Sequence, residues 1–540
     1  MNRRLFNFAV VFAFLAGCNS GASGPSAIPQ SMTANTTVSG STNARQNPDT
    51  DPNEMPVPPV VNSVNGVARV DLTVAVNPAT SFPAFDYQGF QGVAPTIRIN
   101  PGDTIVMNVE NEIVGVKGMG ADINVHFHGL VVSPNAPGDD VLTMLATPGQ
   151  KLHYIVHVPK FQEPGLYWYH PHVHGFVNYQ VGFGGMSGAL IVNGLEHHVP
   201  QIAKMKSRLI IVRSTGLGKL IPPNDDMAED MDSNPSGAEA TDNVTPDMPQ
   251  PGQNHTPCGP DTGTTTTLNG ALHPDITIAP GEQQFFRVVN AAGHKTLKLS
   301  IDGESLQLVA LDGYALDSFP GSPPIETVPY IIVPAAGRAE FIVTGPTSGL
   351  AKFRTQCYDT GPHGDPDPAL ILGTLRAPKN TDPNAAPIRP MRLTIGAPLP
   401  HNVYSDAIPA PVQSRRVVLS ENRKPHFFIN GLSFRPNAKP MFTVKVGTTE
   451  VWRIVNTTNE IHDFHIHQIH FMVEDVNGVK VTVPHWQDDY IVPHKNKHGR
   501  AGYIDAYMDF RDPNIKGLFV FHCHIVDHED QGMMAKILAI

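Results

Sequence analysis

The sequence is poor in positive charge, in long apolar runs and in helical periodicity. Its formal net charge is −11 at pH 7, so it offers no electrostatic case for binding nucleic acid. The apolar run at 5–16 is too short to span a bilayer as a helix of the mature protein. With 41% hydrophobic and 16% charged residues, the chain of 540 residues is typical of a globular protein of several domains.

Cysteine is scarce as well. The chain has four cysteines: Cys18, Cys258, Cys357 and Cys523. If Cys18 is lipidated and Cys523 binds a metal, Cys258 and Cys357 remain. An oxidising compartment would permit a disulfide between them, but the sequence does not show whether they meet.

The N-terminal stretch "MNRRLFNFAVVFAFLAGCNS" has the pattern of an export signal. A basic start precedes an apolar run, and "LAGC" resembles a bacterial lipobox, in which Cys18 would become the lipidated N-terminus. An ordinary signal peptide with a coincidental cysteine is the alternative. The paired arginines also resemble a twin-arginine export signal, so the export route stays open. We expect a lipoprotein-type signal peptide at 1–18, a flexible polar linker at 19–62, and a lipid-anchored protein on the periplasmic or extracellular face of a bacterial cell envelope.

From residue 63 onwards the chain consists mostly of short β-like runs separated by turn signals. Three segments repeat, each with a glycine at a turn and an asparagine nine residues later. The copies are Gly102/Asn111, Gly281/Asn290 and Gly447/Asn456. They lie about 170 residues apart, which is too long for a solenoid unit and suits homologous β-sandwich domains. The repeat predicts an all-β chain with domains at 63–197, 198–380 and 381–540, the second with an acidic loop at about 220–260.

Histidine is abundant, with 25 residues, and four short stretches contain the pattern H-x-H. The pairs are His126/His128, His170/His172, His465/His467 and His522/His524. Residues i and i+2 of a strand point to the same face, so each pair aims two imidazoles at one place. The first two pairs lie in the predicted first domain and the last two in the third. We therefore expect more than one metal ion in the cleft between these domains.

Cys523 lies between two of these histidines, in "FVFHCHIVDHEDQGMM". On a strand it faces away from both imidazoles, so its thiolate would reach a different metal. Two imidazoles, one thiolate and a weak axial methionine define the blue-copper electron-transfer geometry. The expected partners of Cys523 are His462, His528 and Met533, with Met534 as the alternative axial ligand.

Each of these features alone has an ordinary explanation. Zinc hydrolases also use H-x-H, and a lone cysteine is most often a small buried hydrophobic residue. Other histidines near the motifs break the pattern, and we expect them not to bind metal: His174, His197, His198 and His470. The four pairs, the cysteine and its partners together fit copper and no other metal in the usual range of protein sites.

The stretches "HFHG", "WYHPHVHG", "HDFHIHQ" and "HCHIVDHEDQGMM" resemble the four signatures of the multicopper oxidases, the family of laccases and bacterial copper-efflux oxidases. They occur in the family's order, and the threefold repeat covers essentially all of 63–540. The resemblance implies three cupredoxin-like Greek-key β-sandwich domains and a type 1, a type 2 and two type 3 copper ions per chain. It makes Cys523, His462, His528 and Met533 the type 1 ligands, His126 and His465 the type 2 ligands, and His128, His170, His172, His467, His522 and His524 the type 3 ligands.

The resemblance also implies a reaction. A reducing substrate would give up four electrons, one at a time, at the type 1 copper. Cys523 would pass them to the other three ions, where dioxygen is reduced to water. Carboxyl groups would relay the protons: Glu529 on one side of these ions and either Asp139 or Asp140 on the other.

The electron donor is open at this stage. We expect phenols or aromatic amines, as in laccases, with electrons entering through the exposed edge of His462 or His528. The alternatives are a metallo-oxidase of cuprous, ferrous or manganous ions in metal tolerance, and a copper-binding envelope protein without turnover. An acidic patch or a methionine-rich lid at the type 1 site would favour metal ions. We also expect a monomer that touches the membrane through a lipidated Cys18.

The third motif departs from the family pattern at two positions. Asp463 stands where proline is usual, and Gln468 where glycine is common. Neither is an expected ligand, but Asp463 would alter access or charge beside His462. Further on, Asp488 and Asp489 in "HWQDDYIV" fit either a substrate pocket or an exposed turn.

Overall fold

The computed structural model describes residues 53–116, 118–216, 258–261, 263–318, 322–382, 386–394, 396, 409–422 and 426–540. The predicted signal peptide with Cys18 and most of the acidic loop lie outside these residues. Within the described ranges, no helix is long and apolar enough to cross a membrane.

Three successive sets of strands form the molecule. The first set is β1 (Val60–Asn62), β2 (Val67–Val76), β3 (Pro83–Tyr87), β4 (Phe90–Gln91), β5 (Thr96–Ile99), β6 (Thr104–Asn111), β7 (His126–His128), β8 (Lys151–His157), β9 (Gly165–His170) and β10 (Gly188–Val192). The second is β11 (Lys206–Gly216), β12 (Thr264–Leu268), β13 (Asp275–Thr277), β14 (Gln283–Asn290), β15 (Leu297–Ile301), β16 (Leu306–Leu311), β17 (Tyr314–Ala315), β18 (Glu326–Val328), β19 (Ile331–Val333), β20 (Arg338–Thr344), β21 (Leu350–Gln356) and β22 (Leu370–Arg376). The third is β23 (Gln413–Glu421), β24 (Phe427–Ile429), β25 (Phe442–Val444), β26 (Thr448–Asn456), β27 (His462–Ile466), β28 (Phe471–Val476), β29 (Val479–Lys480), β30 (Trp486–Gln487), β31 (Asp489–Val492), β32 (Gly502–Phe510), β33 (Gly517–Cys523) and β34 (Met534–Ala539), with the helix α1 (Val526–Asp530) between the last two. Short 3-10 turns lie at Gly118–Ala121, Leu195–His197, Pro200–Lys204, Leu316–Ser318 and Pro513–Ile515, and a π-helical turn at Asn178–Phe183.

Each set folds into two sheets that enclose a core. The strand orders are β1-β5-β10-β9-β7 and β4-β3-β2-β6-β8 in the first, β12-β11-β14-β20-β16-β17 (with β18 on β16) and β13-β22-β21-β15-β19 in the second, and β24-β23-β26-β32-β28-β29 (with β30 on β28) and β25-β34-β33-β27-β31 in the third. Each set repeats one pattern, a parallel pair that continues into an antiparallel pair: β2-β6-β8, β11-β14-β20 and β23-β26-β32. The structure confirms the all-β fold of three sandwiches.

Strand periodicity separates the core of each sandwich from solvent. In β2, alternate residues from Ala68 to Val74 are buried, whereas Arg69 and Asp71 point outward and are exposed. This two-residue period is what a strand with one buried face requires. The buried apolar side chains form a separate cluster in each sandwich, because each pair of sheets closes over its own core.

The repeated asparagines have one structural role in all three sandwiches. Asn111 Nδ2 donates to the carbonyl oxygens of Ala121 and Ala146, and its Oδ1 accepts from the main-chain N–H two residues later. Asn290 and Asn456 make the same kind of contacts in their own domains. Each side chain is fully buried and satisfies backbone groups where the chain leaves a strand.

The end of the predicted flexible linker is part of the folded body. Met55 is buried in the core of the second sandwich, and Glu54 forms a 2.8 Å ion pair with Arg208. The strand β1 then pairs with β5. Residues 53–62 are therefore ordered by contacts with the first two sandwiches, which their Pro- and Asn-rich composition did not indicate.

Cys258 and Cys357 form a disulfide, with Cα atoms 5.5 Å apart. They are separated by 99 residues in the chain, so the pairing is a product of the fold of the second sandwich. Cys523 is the free cysteine of the described part of the chain, and it is buried.

Candidate metal centres

Strand register brings the four histidine pairs together. In the first sandwich β7 and β9 are antiparallel neighbours, with His126 opposite His170. In the third sandwich β27 and β33 are antiparallel neighbours, with His465 opposite His522. The two strand pairs meet across the domain interface, where the rings of His126 and His467 stack with centroids 3.8 Å apart. All eight imidazoles are buried, although His172, His467 and His524 each lie just past the end of a strand.

The ring nitrogens form groups of three in which the donor atoms lie within 4.8 Å of one another. These groups are His126/His128/His465, His128/His170/His524 and His172/His467/His522. The first contains the predicted type 2 pair. The second and third divide the six predicted type 3 histidines into two triads.

Hydrogen bonds fix one nitrogen on several of these rings. His126 Nδ1 donates to Asp139 Oδ2 over 2.9 Å, and His128 Nε2 donates to Asp489 Oδ2 over 2.9 Å. His170 and His465 donate from Nδ1 to main-chain oxygens. The opposite nitrogen of each ring has no hydrogen-bond partner among the described residues. Buried polar atoms rarely lack a partner, so these lone pairs indicate a metal site.

The third triad shows the same need for a cation. His522 donates from Nδ1 to the Cys523 oxygen, which leaves Nε2 as a lone pair. This Nε2 lies 3.2 Å from Nε2 of His172 and 3.2 Å from Nε2 of His467. Burial lowers the pKa of His172 and His467 well below the ordinary value, so both rings are neutral at neutral pH and can offer lone pairs.

The cysteine lies on the opposite side of β33, as predicted. Cys523 Sγ is 3.7 Å from Nδ1 of His462 and 3.7 Å from Nδ1 of His528. The two Nδ1 atoms are 3.1 Å apart, so sulfur and two nitrogens form a compact triangle. Burial raises the pKa of the Cys523 thiol well above its usual range. A bound cation would be needed to hold the thiolate there.

The two candidate axial methionines lie in different environments. Met533 is fully buried in the core cluster that contains Cys523, and its carbonyl oxygen accepts from the Cys523 N–H over 3.0 Å. Met534 packs in a separate cluster with Val520 and Phe434. Met533 therefore shares a core with Cys523, whereas Met534 does not. Thiolate, thioether and imidazole are the donors that copper prefers, so the two centres fit that metal.

Three models of the multicopper oxidase family match the chain, at residues 87–197, 227–346 and 407–539, and together they cover more than half of it. The chain belongs to the multicopper oxidase family. It is 23% identical to a multicopper oxidase of Staphylococcus aureus over 464 residues, 83% of each chain. It is 24% identical to a laccase of Bacillus subtilis over 444 residues, 76% of this chain and 78% of the laccase. A solved multicopper oxidase of Campylobacter jejuni, described as a metallo-oxidase, shares the fold with a TM-score of 0.67 and 21% identity over 91% of this chain and 97% of its own.

As a multicopper oxidase, the chain is a copper-dependent oxidoreductase with dioxygen as electron acceptor and a reducing substrate as donor. Copper is its cofactor, and the family's four ions match the three histidine groups plus the cysteine centre. The predicted resemblance and the cofactor are confirmed.

The predicted proton-relay acids contact different histidines of this oxidase's cluster. Asp139 contacts His126, whereas Asp140 accepts hydrogen bonds from Leu142 and Thr143 and so stabilises a local turn. Glu529 is buried, with Oε1 3.3 Å from His172 Nε2 and Oε2 3.2 Å from His522 Nδ1. Of the two aspartates left open by the sequence, Asp139 is the one that touches the cluster.

Some of the histidines expected not to bind metal have other partners. His470 Nε2 lies 3.1 Å from Asp488 Oδ2, and His198 Nδ1 lies 2.6 Å from Asp317 Oδ1. His174 is buried beside His172, with ring centroids 5.7 Å apart, and its ring nitrogens have no hydrogen-bond partner within the described structure.

The sequence did not indicate that Asp488 and Asp489 contact the histidine cluster. Both are fully buried at the end of the histidine cluster, rather than in an exposed turn. They bind Arg338, which the sequence did not single out at all. Arg338 lies in the second sandwich, 150 positions from Asp488, so no local pattern connects the two.

Proposed function

We propose that Cys523, His462, His528 and Met533 hold the type 1 copper of this oxidase, and that the three histidine groups hold the type 2 ion and the two type 3 ions. The convergence of buried ring nitrogens without partners carries this assignment. Bound copper supplies the one-electron redox chemistry. Because Cys523 and its neighbour His522 share one peptide unit, the backbone of β33 is the shortest covalent path between the two centres.

His528 is the point at which electrons enter. His462 is fully buried, and its Nε2 donates to Thr458 Oγ1 over 3.0 Å. His528 instead lines a narrow cleft between the second and third sandwiches, together with Asp365 and Glu460. A donor in this cleft therefore reaches His528 and not His462.

The wall of the cleft is acidic. Glu460 Oε2 lies 3.7 Å from His528 Nε2, and Asp527 Oδ2 lies 4.0 Å from the same nitrogen. The Asp527 oxygen is buried and has no hydrogen-bond partner among the described residues. Burial raises the pKa of Glu460 well above its usual range, and the neighbouring carboxyl groups of Glu421 and Asp365 raise it further. Carboxyl groups crowded in this way are the setting in which a cation replaces a shared proton.

We infer from this wall that the donor is a small metal cation, cuprous, ferrous or manganous, rather than a phenol. An aromatic ring would need a wider, more apolar cleft than the one beside His528. The laccase-like reaction with phenols or aromatic amines is the second candidate, favoured by the similarity to the Bacillus laccase.

Steady-state oxygen uptake with ferrous ion, cuprous ion and a dye-forming phenol separates these candidates. In Glu460→Gln the KM for the metal ions should rise about tenfold, while the KM for the phenol should stay within about twofold, because only the cation loses a charged ligand. Glu112→Gln is the matched control, since Glu112 is exposed on the first sandwich. A fast phenol reaction, together with metal-ion kinetics that Glu460→Gln leaves unchanged, would favour the laccase-like candidate.

Glu529 and Asp139 are the proposed proton carriers. Each places a carboxyl group against histidines of the cluster, one at His172 and the other at His126. The two groups can hold protons beside two different histidines of a buried site.

We also propose that the protein is exported, lipidated at Cys18 and monomeric. The lipobox-like sequence supports lipidation, and the Cys258–Cys357 disulfide suits an oxidising compartment. The complete ligand set within one chain supports a monomer. Labelled palmitate should be incorporated by the wild type and not by Cys18→Ser, and light scattering should give the monomer mass.

A further inference from the structure

The middle sandwich supplies none of the predicted copper ligands, yet one of its side chains reaches the histidine cluster. Arg338 begins β20 and is 1% exposed. Its Nη1 and Nη2 donate to Oδ1 and Oδ2 of Asp488, each over 2.5 Å. Nη1 also donates to Asp489 Oδ2 over 3.2 Å. One guanidinium therefore holds both aspartates of the third sandwich.

The two aspartates in turn hold copper-cluster histidines. Asp489 Oδ2 accepts from His128 Nε2 over 2.9 Å, and Asp488 Oδ1 lies 3.3 Å from the same nitrogen. The main-chain oxygen of Asp488 accepts from His465 Nδ1 over 2.8 Å. These bonds place the ring protons of His128 and His465 on the side away from the cluster. The nitrogens left without partners are His128 Nδ1 and His465 Nε2, one from each of two facing rings.

Without the guanidinium, this arrangement would be unstable. Asp312, Asp488 and Asp489 are all buried within the same interface. Buried carboxylates without a cation repel one another and lose their hydration. A planar guanidinium with a rigid fork matches one carboxylate with two bonds and still reaches the next, which an ammonium group does not.

The glycine of the "HFHG" motif provides the space for this contact. Gly129 has a φ of 84°, and a Cβ at this position would lie 2.5 Å from Arg338 Nη2 and 2.6 Å from Asp488 Oδ2. Such distances do not occur between real Cβ atoms and their neighbours. The residue after His128 must therefore be small for the Arg338–Asp488 pair to form beneath the cluster.

We propose that Arg338 is a positioning residue of the three-copper site: it fixes Asp488 and Asp489, which orient His128 and His465 so that their free nitrogens face the metal. This inference rests on the proposed assignment of the ligands. It predicts that the second sandwich controls copper binding between the first and third, although it contributes no ligand.

The test compares copper-loaded Arg338→Gln, Arg338→Lys and Arg287→Gln with the wild type. Arg287 is the matched control, because it is a buried arginine of the same sheet that pairs with Glu340 and touches no ligand. The measurements are copper per chain, the type 1 colour, the type 2 electron paramagnetic resonance signal, and kcat and KM. Four ions and a blue colour in the wild type show, independently of Arg338, that the proposed copper centres are occupied.

Arg338→Gln should keep the type 1 colour and the KM for the donor, but alter or lose the type 2 signal and reduce kcat about 10- to 100-fold, as for other residues that orient metal ligands. Arg338→Lys should recover part of this loss, because it restores the charge without the fork. Arg287→Gln should lower the melting temperature and leave the type 2 signal unchanged.

The proposal is overturned if Arg338→Gln keeps the type 2 signal and the kcat of the wild type. It is also overturned if Arg338→Gln and Arg287→Gln lose the type 2 signal and kcat to the same extent. If Arg338→Gln does not fold, Asp489→Ala decides, because it leaves the Arg338–Asp488 pair in place and removes one acceptor from His128. An altered type 2 signal in that variant supports the proposal, and an unchanged one overturns it.

Discussion

Gln468 donates a hydrogen bond from Nε2 to Oδ2 of Asp139 over 2.6 Å, and so links the third sandwich to the first beside the histidine cluster. Gln468 is buried and has a φ of 60°, a left-handed conformation that glycine adopts more easily. This explains why glycine is common at this position in the family. It also shows what the glutamine adds, since glycine has no side chain to reach Asp139.

Gln468→Gly should therefore relieve backbone strain and remove one donor from Asp139. We expect kcat to fall about tenfold, because Asp139 orients His126 of the type 2 pair and loses part of its support. The KM for the donor should not change, since the proposed donor site is the cleft beside His528, away from Asp139. Steady-state kinetics and the type 2 resonance signal measure both effects.

Asn477→Gly is the matched control for that change. Asn477 also has a left-handed backbone, with a φ of 55°, but lies in a turn where its Oδ1 accepts from the Tyr503 N–H. If both glycine variants lower kcat equally, the Gln468–Asp139 bond has no role in turnover.

The three repeated asparagines provide an internal comparison. Asn111→Ala, Asn290→Ala and Asn456→Ala each leave buried carbonyl groups without donors, so each should cost about 2 to 5 kcal/mol in the free energy of unfolding. Asn456 also accepts from Thr458, which binds His462 Nε2. Hence Asn456→Ala alone should change the type 1 absorption band. Denaturant unfolding and visible spectra of the three variants check this, and equal spectra would refute it.

The sequence predicted the parts of the centre that lie on single strands. H-x-H spacing predicted that each pair shares a face, and the position of Cys523 between two histidines predicted the side of its sulfur, although the second histidine of three pairs lies just past the end of its strand. Both follow from the two-residue period of a strand, which needs no knowledge of tertiary structure. The three-sandwich fold followed from the spacing of the repeated asparagines in the same way.

The remaining parts of the centre depend on contacts between sandwiches, and no local sequence pattern indicates such contacts. Arg338 contacts Asp488 because the second sandwich packs against the third. The sequence of its own strand has no feature that indicates this contact. The choice between Asp139 and Asp140 required the side-chain directions in a loop. Residues 53–62 are ordered because β1 has a partner strand and Met55 has a buried site, and neither can be read from the local sequence.

A pH dependence of stability follows from Glu163. Burial raises the pKa of this carboxyl group from 4.5 to about 7. Below pH 4.5 the group is neutral in both the folded and the unfolded chain. As the pH rises to about 7, the unfolded chain ionises first, so folding loses stability, by about 3 kcal/mol in total.

Glu163→Gln should remove this dependence, because glutamine stays neutral in both states. Melting temperatures of the copper-loaded wild type should fall relative to those of Glu163→Gln between pH 5 and 8, a range set by the raised pKa of Glu163. Parallel curves for the two proteins would contradict the burial argument.

We propose that β33 and the residue after it present the sulfur of Cys523 to one copper ion and the imidazoles of His522 and His524 to the cluster of three. The most direct measurement is the visible spectrum and copper content of Cys523→Ser, with Cys258→Ser/Cys357→Ser as the control. Cys523→Ser should lose the intense blue band and one of four copper ions, retain the other three and take up no oxygen, while the control stays blue. A blue Cys523→Ser protein with four copper ions would contradict it.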